Sequence, residues 1–105
     1  MIFTKKTIEQ LIAETIYNHL VPACDRLRKE LAAPVRDMHN VYNLKLRIEN
    51  TLDLLAAHRK EAIATSNILD IMAYLTRRSL VEELDNHVKK TNRLLLEIPK
   101  IGPSF

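Results

Sequence analysis

Glycine occurs once in this chain, at Gly102, and proline only at 22, 34, 99 and 103. Hairpin turns depend on residues at positive φ, and a single glycine supplies almost none of them. Strand-and-turn architectures are thereby disfavoured. From Val35 to Ile98 nothing breaks a helix outright, so turns there must be located from caps and from the period of the apolar residues.

The first helix is read from Thr7, because Thr7-Ile8-Glu9-Gln10 has the form of a capping box. Its apolar stripe is Ile8, Leu11/Ile12, Ile16, Leu20, Ala23, Leu27 and Leu31, in steps of three and four,. Pro22 lies inside that run. It has no N–H and crowds the Asn18 carbonyl, which predicts a kink near 18–22 in an otherwise continuous helix. Ala32-Ala33-Pro34 reads as the first turn, with Pro34 at the first position of the next helix. That helix carries Met38, Val41, Leu44/Ile48, Leu52 and Leu55 on one face. A second turn is expected within 58–67, where Thr65-Ser66-Asn67 offers N-caps. Ser79-Leu80-Val81-Glu82 is another capping box, and the stripe changes phase there, from Ile68/Met72/Leu75 to Val81/Leu84/Val88/Leu95/Ile98.

These signals predict one all-α domain over 1–105. It is an antiparallel three- or four-helix bundle with long helices at approximately 7–32, 34–58 and 66–97, the last either continuous or broken at 78–79. The first helix is kinked near Pro22, and residues 99–105 form an extended tail. Of the 105 residues 47% are apolar and 28% charged, a globular balance that permits a core if long elements pack closely,. Cys24, the one cysteine, has no internal disulfide partner,. The first residues turn polar too soon for a signal peptide, and no run approaches the roughly 18 apolar residues that span a bilayer. The expectation is a cytoplasmic protein without a membrane partner.

Catalytic chemistry finds little footing. Phosphate loops and dinucleotide fingerprints need several glycines to bring backbone N–H groups onto phosphate. Di-metal bundles need Glu-x-x-His pairs, and the residue three after every glutamate is something other than histidine,. The histidines at 19, 39, 58 and 87 contain no His-x-x-x-His pair. No local signature sets a nucleophile beside a base, and Cys24 falls on the first helix's apolar stripe, where it reads as a small core residue. The sequence therefore predicts no catalytic residues, no metal and no cofactor, and a protein that is not an enzyme. Leu84 to Ile98 also fails as a helix-turn-helix, because Asp85 takes the place of a small packing residue and Lys89 that of the turn glycine.

One short segment, His39-Asn40-Val41-Tyr42-Asn43, resembles the phosphoacceptor helix of some sensor histidine kinases, where an asparagine follows the histidine one turn later. The resemblance covers these residues alone and implies a histidine phosphotransfer role for His39. The apolar spacing after Asn43 departs from that family's pattern, and the chain has no ATP-binding domain.

The net charge is +3, spread evenly: residues 1–33 and 34–65 each carry five Lys/Arg against four Asp/Glu, and residues 66–105 six against five. No basic arm stands out. Within helices the charges follow the macrodipole, with acids early and bases late. In an up-down-up bundle this would gather Arg26, Arg28, Lys29, Arg36, Lys89, Lys90 and Arg93 at one mildly basic pole, able to meet an acidic protein or a phosphate backbone. A second surplus is apolar. Six of the eight residues Ile68 to Leu75 are Ile, Leu, Met or Tyr, and Leu44, Leu46, Leu52, Leu54 and Leu55 wrap past one face of the second helix. Ile68, Leu69, Ile71, Met72, Tyr74 and Leu75 are the candidate interface. The leading expectation is a non-enzymatic binding or adaptor protein acting on another protein or on itself as a homodimer. A small nucleic-acid-binding regulator using the basic pole is the alternative.

Overall fold

The structure is a computed structural model and describes residues 6–66 and 69–99. Among those residues the regular elements are all helical. Helix α1 is Ile8–Glu14, a π-helical stretch covers Thr15–Leu20, α2 is Val21–Ala32, α3 is Met38–Ala64 and α4 is Ile71–Leu95. The first three follow one another without a non-helical residue, and form one long helical run.

The capping box at its start is formed in both directions. Thr7 Oγ1 accepts from the Gln10 N–H at 3.2 Å, and Gln10 Oε1 accepts from the Thr7 N–H at 2.9 Å,. The π stretch has its cause in the spacing of the stripe. Ile8, Ile12, Ile16 and Leu20 step by four, and four α-helical residues turn about 400°, which overshoots the face by about 40° per step. Three such steps would swing Leu20 roughly 120° away from Ile8. A π turn holds more residues per revolution and takes up the drift, with the Val21 N–H reaching back five residues to the Ile16 carbonyl,. All four side chains stay buried. The wider turn also suits Pro22, which has no N–H to place.

The later boundaries differ from the sequence-based expectation. Helix α3 starts at Met38 rather than 34, because the Asp37 carboxylate accepts the Asn40 N–H at 3.3 Å and so supplies the cap, while Pro34 lies in the connection,. It runs on to Ala64, past 58, through good helix formers,. Helix α4 is capped by Asp70, which accepts the Ala73 N–H at 3.2 Å, and not by the Thr65-Ser66-Asn67 group. Asn67 itself lies outside the described residues. No break occurs at 78–79: Ser79 is inside α4. Of the expected tail only Pro99 is described.

Two seams with a spacing of seven build the rest of the core. On α3 they are Val41, Ile48, Leu55 and Ala62, and on α4 Leu84 and Thr91 followed by Ile98 just beyond it,. Counting back seven from Leu84 reaches Arg77, where the apolar seam ends. Its guanidinium closes that end, donating to Glu9 Oε1 at 2.8 Å, to Thr65 Oγ1 at 2.9 Å and to the Ala62 carbonyl at 3.3 Å. Pairings between the first run and α4 ascend together, from Glu9–Arg77 through Tyr17–Glu83 to Cys24–Thr91. Those between α3 and α4 run in opposite order, with Tyr42 donating to the Pro99 carbonyl at 2.7 Å and Arg59 to Asp85 at 2.8 Å. The change of phase at 78–79 therefore marks where α4 leaves the core. From Leu69 to Thr76 no residue is buried.

Candidate functional site

Two surfaces stand out, one polar and one apolar. The polar one is a groove of about 430 Å³ between α2 and α3, lined by Arg26, Lys29, Glu30, Asn40, Asn43, Leu44 and Arg47. The α2 residues are spaced three and four apart, so they share a face. On α3, Asn40, Asn43, Leu44 and Arg47 do the same, while Val41 and Ile48 turn into the core beside them,.

The seven residues expected to form a basic pole are all exposed. Arg26 and Lys29 line this groove, but the wall facing them is α3, not α4, and the third cation is Arg47. Arg28 is held by Asp25 at 3.0 Å, and the Arg36 Nε donates to the Leu31 carbonyl at 3.1 Å, near the end of α2. Lys89, Lys90 and Arg93 lie on the last turns of α4, flanking the Thr91 that touches Cys24. The composite pole thus resolves into a walled recess on one side and separate cations on α4. Arg47 was missed because dipole reasoning looks only at helix ends. Folding the chain back at the 33–37 connection sets Arg26 opposite the 43–47 stretch, and that register was the available signal.

The apolar surface is the start of α4. Leu69 is 93% exposed, Ile71 65%, Met72 75% and Leu75 50%. Tyr74 is half-buried on the opposite side, in a recess it shares with Ile63, Arg77 and Val81. Ile68 lies outside the described residues. Leu75 continues into a shallow, largely apolar trough between α1 and α4, lined also by Ala13 and Leu80. On α3, Leu46 and Leu54 are exposed, whereas Leu55 is buried and Leu44 and Leu52 are half-buried.

The titratable groups that depart from ordinary behaviour are structural ones. Burial pushes Glu9 upward, but its own backbone N–H, the Arg77 hydrogen bond and charge, and Thr7 together outweigh it and hold the carboxyl below its usual range,. Burial pushes the Cys24 thiol up. The Asp85 hydrogen bonds and charge hold Arg59 protonated more firmly still, which gives Asp85 a role as an ion-pair partner. Tyr17 donates to the Glu83 carboxylate and sets its ring edge-on to His87, with centroids 5.7 Å apart, tying the π stretch to α4. His39 is exposed on the first turn of α3, and no hydrogen bond joins it to Asn43 among the described residues. No helix among the described residues is long and apolar enough to cross a membrane. Compared with protein-family models, curated proteins and solved structures, the chain finds no significant match.

Proposed function

We propose that the chain is an up-down-up bundle of three helices that acts by docking rather than by catalysis, and that it pairs with a second copy of itself. The observation that carries this reading is the exposed apolar start of α4, where Ile71, Met72 and Leu75 stand beyond the end of the core. Monomeric soluble proteins seldom leave such side chains clustered in water, and a helix apolar on its outer face is usually covered by a partner. The charges flanking the cluster favour a copy of the same chain. Asp70 precedes the apolar residues, and Arg78 follows on the face of Ile71 and Leu75. Two such helices packed antiparallel about a two-fold axis set apolar on apolar, and bring the Asp70 end of each toward the Arg78 end of the other copy. A surface that is its own complement is what an isologous dimer requires.

Light scattering after size exclusion tests the reading. The expected mass is about twice the 12.1 kDa of the chain at micromolar concentration. The double variant Ile71→Lys/Leu75→Lys should return a monomer with unchanged helical content, since neither residue is buried. A monomer across the accessible concentration range would overturn the proposal.

A further inference from the structure

The groove between α2 and α3 carries a second assignment, independent of dimerisation. We infer that it is an anion site that takes a phosphomonoester on a partner peptide, held by Arg26, Lys29 and Arg47. Three observations lead there.

The first is what the other arginines are doing. Arg28, Arg36, Arg59, Arg77 and Arg78 each hold a carboxylate or a carbonyl of this chain. Among the described residues Arg26, Arg47 and Arg93 hold none, and two of those three face the same recess together with Lys29, which is likewise without a partner. The fold does not consume these cations.

The second is charge. Three cations and the Glu30 carboxylate leave the lining at net +2. A phosphomonoester near neutral pH carries about −1.5 to −2, with three strong acceptor oxygens. Two guanidinium forks supply paired N–H donors for those oxygens and the ammonium a further point charge. The Asn40 and Asn43 amides add neutral donors on the α3 wall, and Leu44 offers an apolar contact for the methylene that bears the ester,.

The third is extent. A nucleic-acid backbone presents a charge every few ångströms and is held by a stripe of cations that follows it. Here the cations converge on one recess with Glu30 in its lining, and Lys89, Lys90 and Arg93 belong to the α4 side of the molecule. Convergence suits one compact dianion better than a chain of monoanions.

The test is an amide chemical-shift titration of the ¹⁵N-labelled full chain with an acetyl-Ala-phosphoserine-Ala-amide peptide. Parallel arms use the unphosphorylated peptide, inorganic phosphate and a short DNA duplex. Saturable shifts confined to residues 26–30 and 40–47, produced by the phosphopeptide and not by its unphosphorylated form, are the expected result. Arg26→Gln/Arg47→Gln should weaken binding about tenfold or more, because each removes a charge-assisted contact. Its melting temperature should stay unchanged, since neither side chain is tied into the fold. Lys89→Gln/Lys90→Gln should bind as the parent does. Absence of saturable shifts, or equal binding by the Arg26/Arg47 variant, overturns the site. Inorganic phosphate binding as tightly as the peptide overturns the peptide as the source. Tighter binding of the duplex, with shifts spreading to residues 89–93, overturns the proposal in favour of a nucleic-acid surface.

Discussion

Cys24 Sγ lies 3.6 Å from Thr91 Oγ1 where α2 meets α4, and the Thr91 hydroxyl has already given its proton to the His87 carbonyl at 2.7 Å. A hydroxyl has one proton to donate, so in this contact the thiol is the donor and Thr91 the acceptor. A thiol that donates, in a buried position, is held protonated. Cys24 should therefore resist alkylation by iodoacetamide at neutral pH and react at the rate of an ordinary thiol once urea unfolds the chain. Because its folded pKa lies above its ordinary value of 9.0, stability should also fall as the pH rises past that value,. Rapid labelling of the native protein would contradict the contact.

The Glu9–Arg77 pair makes a prediction on the acid side. Its side chains are 32% and 19% exposed, between the surface and buried regimes, so Arg77→Met should cost about 1–2 kcal/mol at pH 7,. Glu9 has a folded pKa below its ordinary value of 4.5, so its stabilisation is present in full above that value and is lost as the pH falls from there through the lowered folded pKa,. Melts of the parent and of Glu9→Gln should differ at pH 7 and converge as the pH drops well below that range.

Lys89 and Lys90 occupy the last turns of α4, where a positive charge complements the helix dipole. Lys89→Gln/Lys90→Gln should lower stability by roughly a few tenths of a kcal/mol for each charge, and less in high salt. An effect above about 1 kcal/mol would show that the two lysines contact something more specific than the dipole.

Pro22 follows a π stretch inside a continuous helical run. Pro22→Ala restores an N–H that can seek the Asn18 carbonyl, so the melting temperature should stay level or rise, by up to about 1 kcal/mol in stability. A clear loss would mean that proline's fixed φ organises α2 as a separate helix.

The parts of this fold legible in the sequence are those that short-range chemistry decides. The Thr7 capping box and the first stripe are read directly, and the α3 face appears as Val41, Ile48, Leu52 and Leu55. Boundaries were less legible because a carboxylate cap outweighs a favourable first residue. Asp37 starts α3 past Pro34, the expected first helical position, and Asp70 caps α4 in place of the Thr65-Ser66-Asn67 group. The capping box at Ser79 is a pattern inside an uninterrupted helix. The phase change there left the last helix either continuous or broken; it records which side of α4 meets the core and which meets water. The apolar cluster at 69–75 was visible as composition, whereas the α2–α3 groove depends on how two helices are paired, and Arg47 has no local mark.

A helical run whose stripe advances by four, four and four, and then by three and four, is one residue longer than an unbroken α-helix needs in order to place the same side chains. Thr15–Leu20 can thus be regarded as a stored insertion, spent on width instead of length. Removing one solvent-facing residue from it, Asn18, together with Pro22→Ala so that no ring meets the narrowed turn, should let ordinary i→i−4 bonding resume with Leu20 and Leu27 still turned inward,. The shortened chain should fold with its core intact, as its melt and amide spectrum would record. Taking a residue from the middle of α3, where Val41, Ile48, Leu55 and Ala62 keep strict step, should unfold it.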